Sequence, residues 1–192
     1  MCSVSNIPER RKTPPLRGSL VKWEYTNTVS KITLSMCLAD AGIVRVTYFP
    51  GAVPEDEPSY AVSPGYSAPG AEIREYDEDG VHVVETSLLR IRIRTEEQKV
   101  DFYDVATDEP LLTDEGGFGR ESKDWTGDAR VWIRKNLQET EHFFGLGDKP
   151  CALNLRGKYF SMWGADHYDF HEESDPLYKS IPFFLSLRER KA

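Results

Sequence analysis

Two runs of strict alternation fix the kind of fold this chain can adopt. Ile32, Leu34, Met36 and Leu38 alternate with Lys31, Thr33, Ser35 and Cys37, a period of two that a strand satisfies and a helix does not. Asp40-Ala41-Gly42 supplies a turn, and alternation resumes over Ile43–Phe49 until Pro50-Gly51 stops it. The pair therefore predicts a hairpin, its first strand half-buried.

The same grammar repeats along the chain. Leu20–Tyr25 opens the patterned region, Ala71–Tyr76 and Val81–Thr86 flank an Asp79-Gly80 turn, and Leu88–Arg94 follows at once. Lys99–Tyr103 and Pro110–Thr113 form a further pair, and Arg130–Leu137, Glu141–Leu146 and Ile181–Leu187 add more strands. Residues 50–70 are dense in Pro and Gly, marking a long exposed connection with a short strand near Tyr60–Val62. No segment carries a helical apolar stripe. Roughly ten to thirteen short strands without βα alternation predict an all-β fold, a two-sheet antiparallel β-sandwich.

Charge and composition then remove function classes. The net charge of −8, from 24 basic and 32 acidic residues, repels a phosphate backbone, so no nucleic acid is expected as partner. Arg90, Arg92 and Arg94 share one strand face, the pattern of a wet sheet face with acidic partners on neighbouring strands. Gly116-Gly117-Phe118-Gly119 lies in an acidic, Gly-rich stretch over Asp114–Asp128, and no Gly-Lys-Ser/Thr follows, so it is no phosphate loop. Gly145-Leu146-Gly147 lacks a third glycine at 150 and a following helix, and predicts a tight bend with close backbone approach. Cys2, Cys37 and Cys151 are too few and too widely spaced for a disulfide framework and fit reduced thiols. Residues 1–18, with Arg10, Arg11, Lys12, Pro14 and Pro15, read as a flexible segment without a signal-peptide core, and residues 19–192 as one domain. No run approaches a membrane span, so no membrane partner and a cytoplasmic location are expected.

Chemistry concentrates in Tyr159–Phe184. Tyr159, Phe160, Trp163, Tyr168, Phe170 and Tyr178 surround Asp166, His167, Asp169, His171, Glu172, Glu173 and Asp175. Aromatic faces beside carboxylates and imidazoles suit a sugar, which offers C–H faces for stacking and hydroxyls that donate and accept. Asp166 can accept two hydrogen bonds from vicinal hydroxyls, or it can be a turn aspartate after Gly164. Trp163 and Tyr178 are expected to be half core and half platform, while Trp23, Trp125 and Trp132 read as packing residues. His167-x-Asp169-x-His171 has strand-face spacing for a metal, but Gly164, Ser174 and Pro176 mark a loop, and no metal or cofactor is assigned.

Two blocks carry a family resemblance. Phe144-Gly145-Leu146-Gly147-Asp148-Lys149 is similar to F-[YF]-G-L-G-E-K, and Asp175-Pro176-Leu177-Tyr178-Lys179-Ser180-Ile181-Pro182-Phe183-Phe184 matches almost letter for letter. Weaker echoes lie at Ile43–Val46 and at Val100–Asp104 followed by Pro110–Asp114. From about Lys22 onward the chain resembles the N-terminal domain of glycoside hydrolase family 31, the α-glucosidases, α-xylosidases and relatives. The resemblance implies a galactose-mutarotase-like sandwich. It also implies that both catalytic aspartates lie on a barrel beginning after the second block, beyond Ala192. No catalytic residue is therefore assigned, and the segment alone is expected to be inactive. What the resemblance does assign is a rim loop that grips substrate, with Asp166 at the matching position beside Trp163, His167 and Tyr168.

The expected parent is a retaining α-glucosidase hydrolysing α-linked gluco-oligosaccharides through a covalent intermediate, with the barrel of the same polypeptide as partner. The alternative is a free-standing carbohydrate-binding sandwich in which Trp163, Tyr168 and Tyr178 form the platform. Asp148 stands where the family usually shows Glu, which shortens its reach by one methylene. The Phe144–Asp148 bend and the run Ile181, Phe183, Phe184, Leu185 should leave an apolar surface through which the isolated chain self-associates.

Overall fold

The computed structural model describes residues 9–13, 21–54, 72–122 and 129–188. The chain divides into two compact units, 1–136 and 137–192, where a single domain over 19–192 is the sequence expectation. Trp125 and the proposed strand at Tyr60–Val62 lie outside the described residues.

The first unit holds two antiparallel meanders and a smaller two-stranded sheet. One sheet runs β1 (Glu9–Thr13), β2 (Val21–Thr26), β3 (Ile32–Asp40) and β4 (Ile43–Pro50) in chain order. The other runs β5 (Arg74–Glu78), β6 (Val81–Glu85), β7 (Leu89–Arg94), β8 (Lys99–Asp104) and β9 (Pro110–Leu112). Trp23 and Tyr25 of β2 and Leu34, Met36 and Leu38 of β3 form one buried cluster with Val84, Ile91, Ile93 and Val100 of β6, β7 and β8. Residues from the inner faces of two sheets in one core make this unit a β-sandwich. Each fully buried large side chain contributes about 1.5–3 kcal/mol over its exposed state.

Strand β3 departs from expectation, because Thr33 and Ser35 on its polar face are also buried. Thr33 satisfies its hydroxyl against Thr26 Oγ1 at 3.1 Å. The Asp79-Gly80 turn has φ of 50° and 78°, the doubly positive geometry that favours such dipeptides in two-residue hairpins. The arginine face is paired throughout: Arg90 with Glu85 at 2.6 Å and with Asp108, Arg92 with Glu78 at 3.4 Å, and Arg94 with Asp101 at 2.7 Å.

Two strands arise where the sequence gives little sign of them. Glu9–Thr13, inside the segment expected to be flexible, pairs along β2 from Glu9↔Thr26 to Thr13↔Lys22. Its Arg10 meets Asp77 at 3.0 Å and its Lys12 meets Glu75, both on β5. Charge replaces apolar alternation there because an edge strand needs partners on one side only. The acidic, Gly-rich stretch forms β10 (Asp114–Ser122), which pairs with β11 (Ala129–Lys135) after a register shift between Asp114 and Phe118. Gly119 lies opposite Trp132, and an added Cβ would fall 2.1 Å from the indole.

The second unit is built on β12 (Glu141–Gly147) and β13 (Ser180–Arg188), paired antiparallel with Phe144 opposite Leu185. Phe143 meets the Phe184 ring edge-on at 5.6 Å. Glu141 is buried at the start of β12, where it accepts the Gln138 N–H at 2.9 Å and the Ser186 hydroxyl at 2.5 Å. Burial alone would raise its carboxyl, but these donors and Arg188 hold it below the ordinary glutamate range.

Candidate functional site

The segment joining β12 to β13, residues 148–179, has no regular secondary structure beyond turns and bends. Its entrance is the bend anticipated from Gly145-Leu146-Gly147. Gly147 has φ of 86°, and a Cβ there would lie 2.2 Å from the Lys179 carbonyl oxygen, so only glycine lets the two backbones approach this closely. Asp148 N–H then donates to the Lys179 carbonyl at 3.2 Å, and the Asp148 carboxylate sits 3.5 Å from Lys179 Nζ on the surface. The shorter aspartate thus still reaches a cation.

Lys149, the next residue, turns inward. Its side chain is 2% exposed, and its ammonium donates to Asp175 Oδ1 at 2.6 Å and to the Ser161 carbonyl at 3.2 Å, lying 5.2 Å from the Phe160 ring centre. Asp175 Oδ2 accepts the Ser161 N–H. Burial alone would raise the Asp175 carboxyl; the ammonium and the amide override it and hold it below the ordinary aspartate range. Leu155 and Leu177 are the buried apolar side chains of the segment. Leu155 N–H donates to Phe143 O at 2.8 Å, and Arg156 donates to the carbonyls of Gln138 and Glu141 at 2.8 and 2.7 Å, so residues 154–156 are fastened to the start of the ribbon.

The residues expected to hold sugar lie within the stretch that Asp175 closes. Trp163 is 73% exposed and Tyr168 97%. Trp163 is therefore not half core: the apolar floor is supplied by Leu155 and Leu177 instead, and the indole projects into solvent. Tyr178 is also exposed, at 46%, though less so than Trp163. Its hydroxyl donates to the His167 carbonyl, while Ala165 N–H donates to Leu177 O at 3.0 Å. Partial desolvation and the adjacent Asp166 carboxylate push the Tyr178 phenol above its ordinary value. Asp166 and His167 are thus brought to Tyr178, with both side chains on the surface.

His171 and Glu173 make local contacts within the segment. His171 Nδ1 lies 2.7 Å from Ser174 Oγ, which also accepts the His171 N–H at 3.0 Å. Glu173 pairs with Lys158 at 2.7 Å and donates its N–H to Pro150 O at 2.8 Å. Among the described residues no three His, Cys, Asp or Glu side chains converge as metal ligands. Sequence reasoning missed the inward Lys149 and its two acceptors; their only signal is that Lys149 and Asp175 fall in the two family-like blocks.

An exposed carboxylate and exposed aromatic faces on a fastened loop present hydrogen-bond acceptors and stacking surfaces to a polyhydroxylated ligand. Comparison with known proteins gives the chain a family. Residues 33–192 match the model of the glycosyl hydrolase 31 N-terminal galactose mutarotase-like domain. The chain belongs to glycoside hydrolase family 31. Within this family it is 37% identical over 75 residues to alpha-glucosidase 2 of Bacillus thermoamyloliquefaciens, covering 38% of this chain and 10% of that one. It is likewise 37% identical over 60 residues to an alpha-glucosidase of Saccharolobus solfataricus, covering 31% of this chain and 9% of the relative. Among solved structures, a family 31 dextranase of Flavobacterium johnsoniae in complex with isomaltotriose superposes with TM-score 0.74 at 25% identity, over 94% of this chain and 21% of that one. A family 31 alpha-xylosidase of Xanthomonas citri shares the fold, with TM-score 0.64 at 19% identity over 84% of this chain and 16% of that one. The chain thus spans about a tenth of the length of the curated relatives it matches and about a fifth of the dextranase.

Proposed function

We propose that this chain is the N-terminal sandwich of a retaining α-glycosidase acting on α-linked gluco-oligosaccharides, and that the segment after β12 is its sugar-holding rim. The observation that carries the reading is the surface carboxylate of Asp166, set beside Tyr178 on a segment whose Trp163 and Tyr168 face solvent, within a family 31 chain. Asp166 accepts from two vicinal hydroxyls, His167 adds a donor or acceptor, and Trp163 and Tyr168 cover the apolar faces of the sugar rings. Bond cleavage needs two carboxyls about 5–5.5 Å apart in a retaining enzyme, and these belong to the barrel of the whole protein. The rim contributes binding and orientation of the glycoside.

Hydrolysis of an aryl α-glucoside tests this. The 192-residue chain is expected to give no turnover, whereas the intact enzyme turns over and its Asp166→Asn variant shows a raised KM. Hydrolysis by the 192-residue chain that disappears in Asp166→Asn would overturn the division of roles.

A further inference from the structure

The four residues of the proposed rim, Trp163, Asp166, His167 and Tyr168, all lie between Ser161 and Asp175, and those two residues are joined. The Asp175 carboxylate accepts the Ser161 N–H with one oxygen and the Lys149 ammonium with the other, at 2.6 Å, while the same ammonium donates to the Ser161 carbonyl at 3.2 Å. One buried cation therefore holds both ends of the stretch. Lys149 itself cannot drift, because it follows directly on the Gly147 bend, whose backbone is pressed against Lys179. A second tie joins the stretch to the residues just after it, where Ala165 N–H meets Leu177 O at 3.0 Å beside the buried Leu177 side chain.

From this geometry we propose that Lys149 and Asp175 are a positioning pair, which presets the stretch 161–175 so that Trp163 and Asp166 meet the sugar in a fixed arrangement. The proposal rests on the reading of this segment as the sugar-holding rim. Ordering so exposed a loop only when ligand arrives would subtract its conformational entropy from the binding free energy; a preset loop avoids that loss. The pair suits the task because an ion pair whose ammonium is 2% and carboxylate 15% exposed, each partner also bonded to the Ser161 backbone, is directional in a way apolar packing is not. Neither residue is placed to touch the sugar.

Amide hydrogen exchange on the 192-residue chain, with KM and kcat of the intact enzyme, tests the pair. Lys149→Met removes the cation and both of its hydrogen bonds and can unfold the whole second unit, so Asp175→Asn, which keeps the shape and an amide oxygen for the ammonium while losing the charge, is the deciding variant. The expected result is exchange at Ser161 and Ala165 faster by about tenfold or more, amides of Phe144 and Leu185 in the ribbon unchanged, and KM for isomaltotriose raised about tenfold with kcat little affected. Unchanged exchange at Ser161 and Ala165 in Asp175→Asn overturns the proposal, as does equal acceleration throughout β12 and β13, which would make the pair a general prop. Faster loop exchange with an unaltered KM also overturns it, because the loop would then not be held for sugar. The rim reading is judged separately by Asp166→Asn, whose exchange is expected to stay as in wild type: an unaltered KM there sinks the rim whatever the pair does.

Discussion

Asp101 and Asp114 are tied together through each other's neighbourhood. Asp114 donates its N–H to Asp101 Oδ1 at 2.7 Å, while Asp114 Oδ2 accepts the N–H of Val100 at 2.8 Å. Both carboxylates are buried, and each meets a cation, Arg94 at 2.7 Å for Asp101 and Lys135 for Asp114. The exchange fastens the start of β10 to β8 where no ladder does so.

Asp101→Ala should therefore be costly, since it leaves the Asp114 amide unmet and Arg94 without its partner. A loss of about 3 kcal/mol is expected. Urea denaturation with an unchanged m-value checks it, and a loss below about 1 kcal/mol would show that water replaces the carboxylate at this position.

His82 gives the sandwich a pH dependence. Its Nδ1 lies 2.7 Å from the hydroxyl of the buried Tyr25, and its Nε2 lies 3.7 Å from Glu75. Desolvation, followed by the nearby Arg10, lowers its pKa below the ordinary histidine value of 6.5. The unfolded chain therefore takes up this proton at higher pH than the folded one, so stability falls as pH drops below about 6.5 and stops falling beneath the depressed folded value. His82→Gln should remove that part of the slope. The denaturation midpoints of the two proteins, followed from pH 7.5 to 4.5, should converge on acidification, and parallel curves would refute the assignment.

Gly147→Ala should unlock the ribbon end. The added Cβ meets the Lys179 carbonyl, a backbone atom that cannot swing aside, and alanine resists the positive φ. A destabilisation of about 2–3 kcal/mol is expected in the second unit. Faster exchange at the Asp148 amide, with the β3 and β7 amides unaffected, is the measurement.

Most of the first unit was legible because its strands carry apolar stripes that become the core, Leu34, Met36 and Leu38 with Ile91 and Ile93, although the burial of Thr33 and Ser35 on the other face of β3 was not. What escaped was held by other means. Glu9–Thr13 shows no apolar period because charge pairs with Asp77 and Glu75 and pairing to β2 hold it. The Gly116-Gly117-Phe118-Gly119 stretch looks like a loop because its stabilising side chain, Trp132, sits on the partner strand. In the candidate site, aromatics and acids mark out the segment between β12 and β13, yet composition does not separate its surface residues from its supports. Lys149, which looks like any solvated lysine, is buried. Trp163, expected to be half core and half platform, is on the surface.

The ribbon should make the isolated chain sticky. Ile181, Phe183, Phe184, Leu185 and Leu187 are all about half exposed or more, with Phe183 at 67%. Because alternate residues of a strand face opposite ways, this places apolar surface on both faces of β13. Light scattering across a concentration series is expected to show self-association that falls when Phe183 and Leu185 are replaced by serine. A wild-type chain that stays monomeric throughout would contradict it.

The distance in sequence between β12 and β13 also sets an order of events during synthesis. Strands β3 and β4 can pair as soon as Phe49 is made, because only Ala41 and Gly42 separate them. Phe143 and Phe144 must wait until all of residues 148–179 has been translated before Phe184 and Leu185 exist to meet them. For that interval the growing polypeptide carries a finished sandwich followed by an unpaired aromatic strand. The ribosome, rather than the test tube, is where this strand is most open to capture by the wrong neighbour.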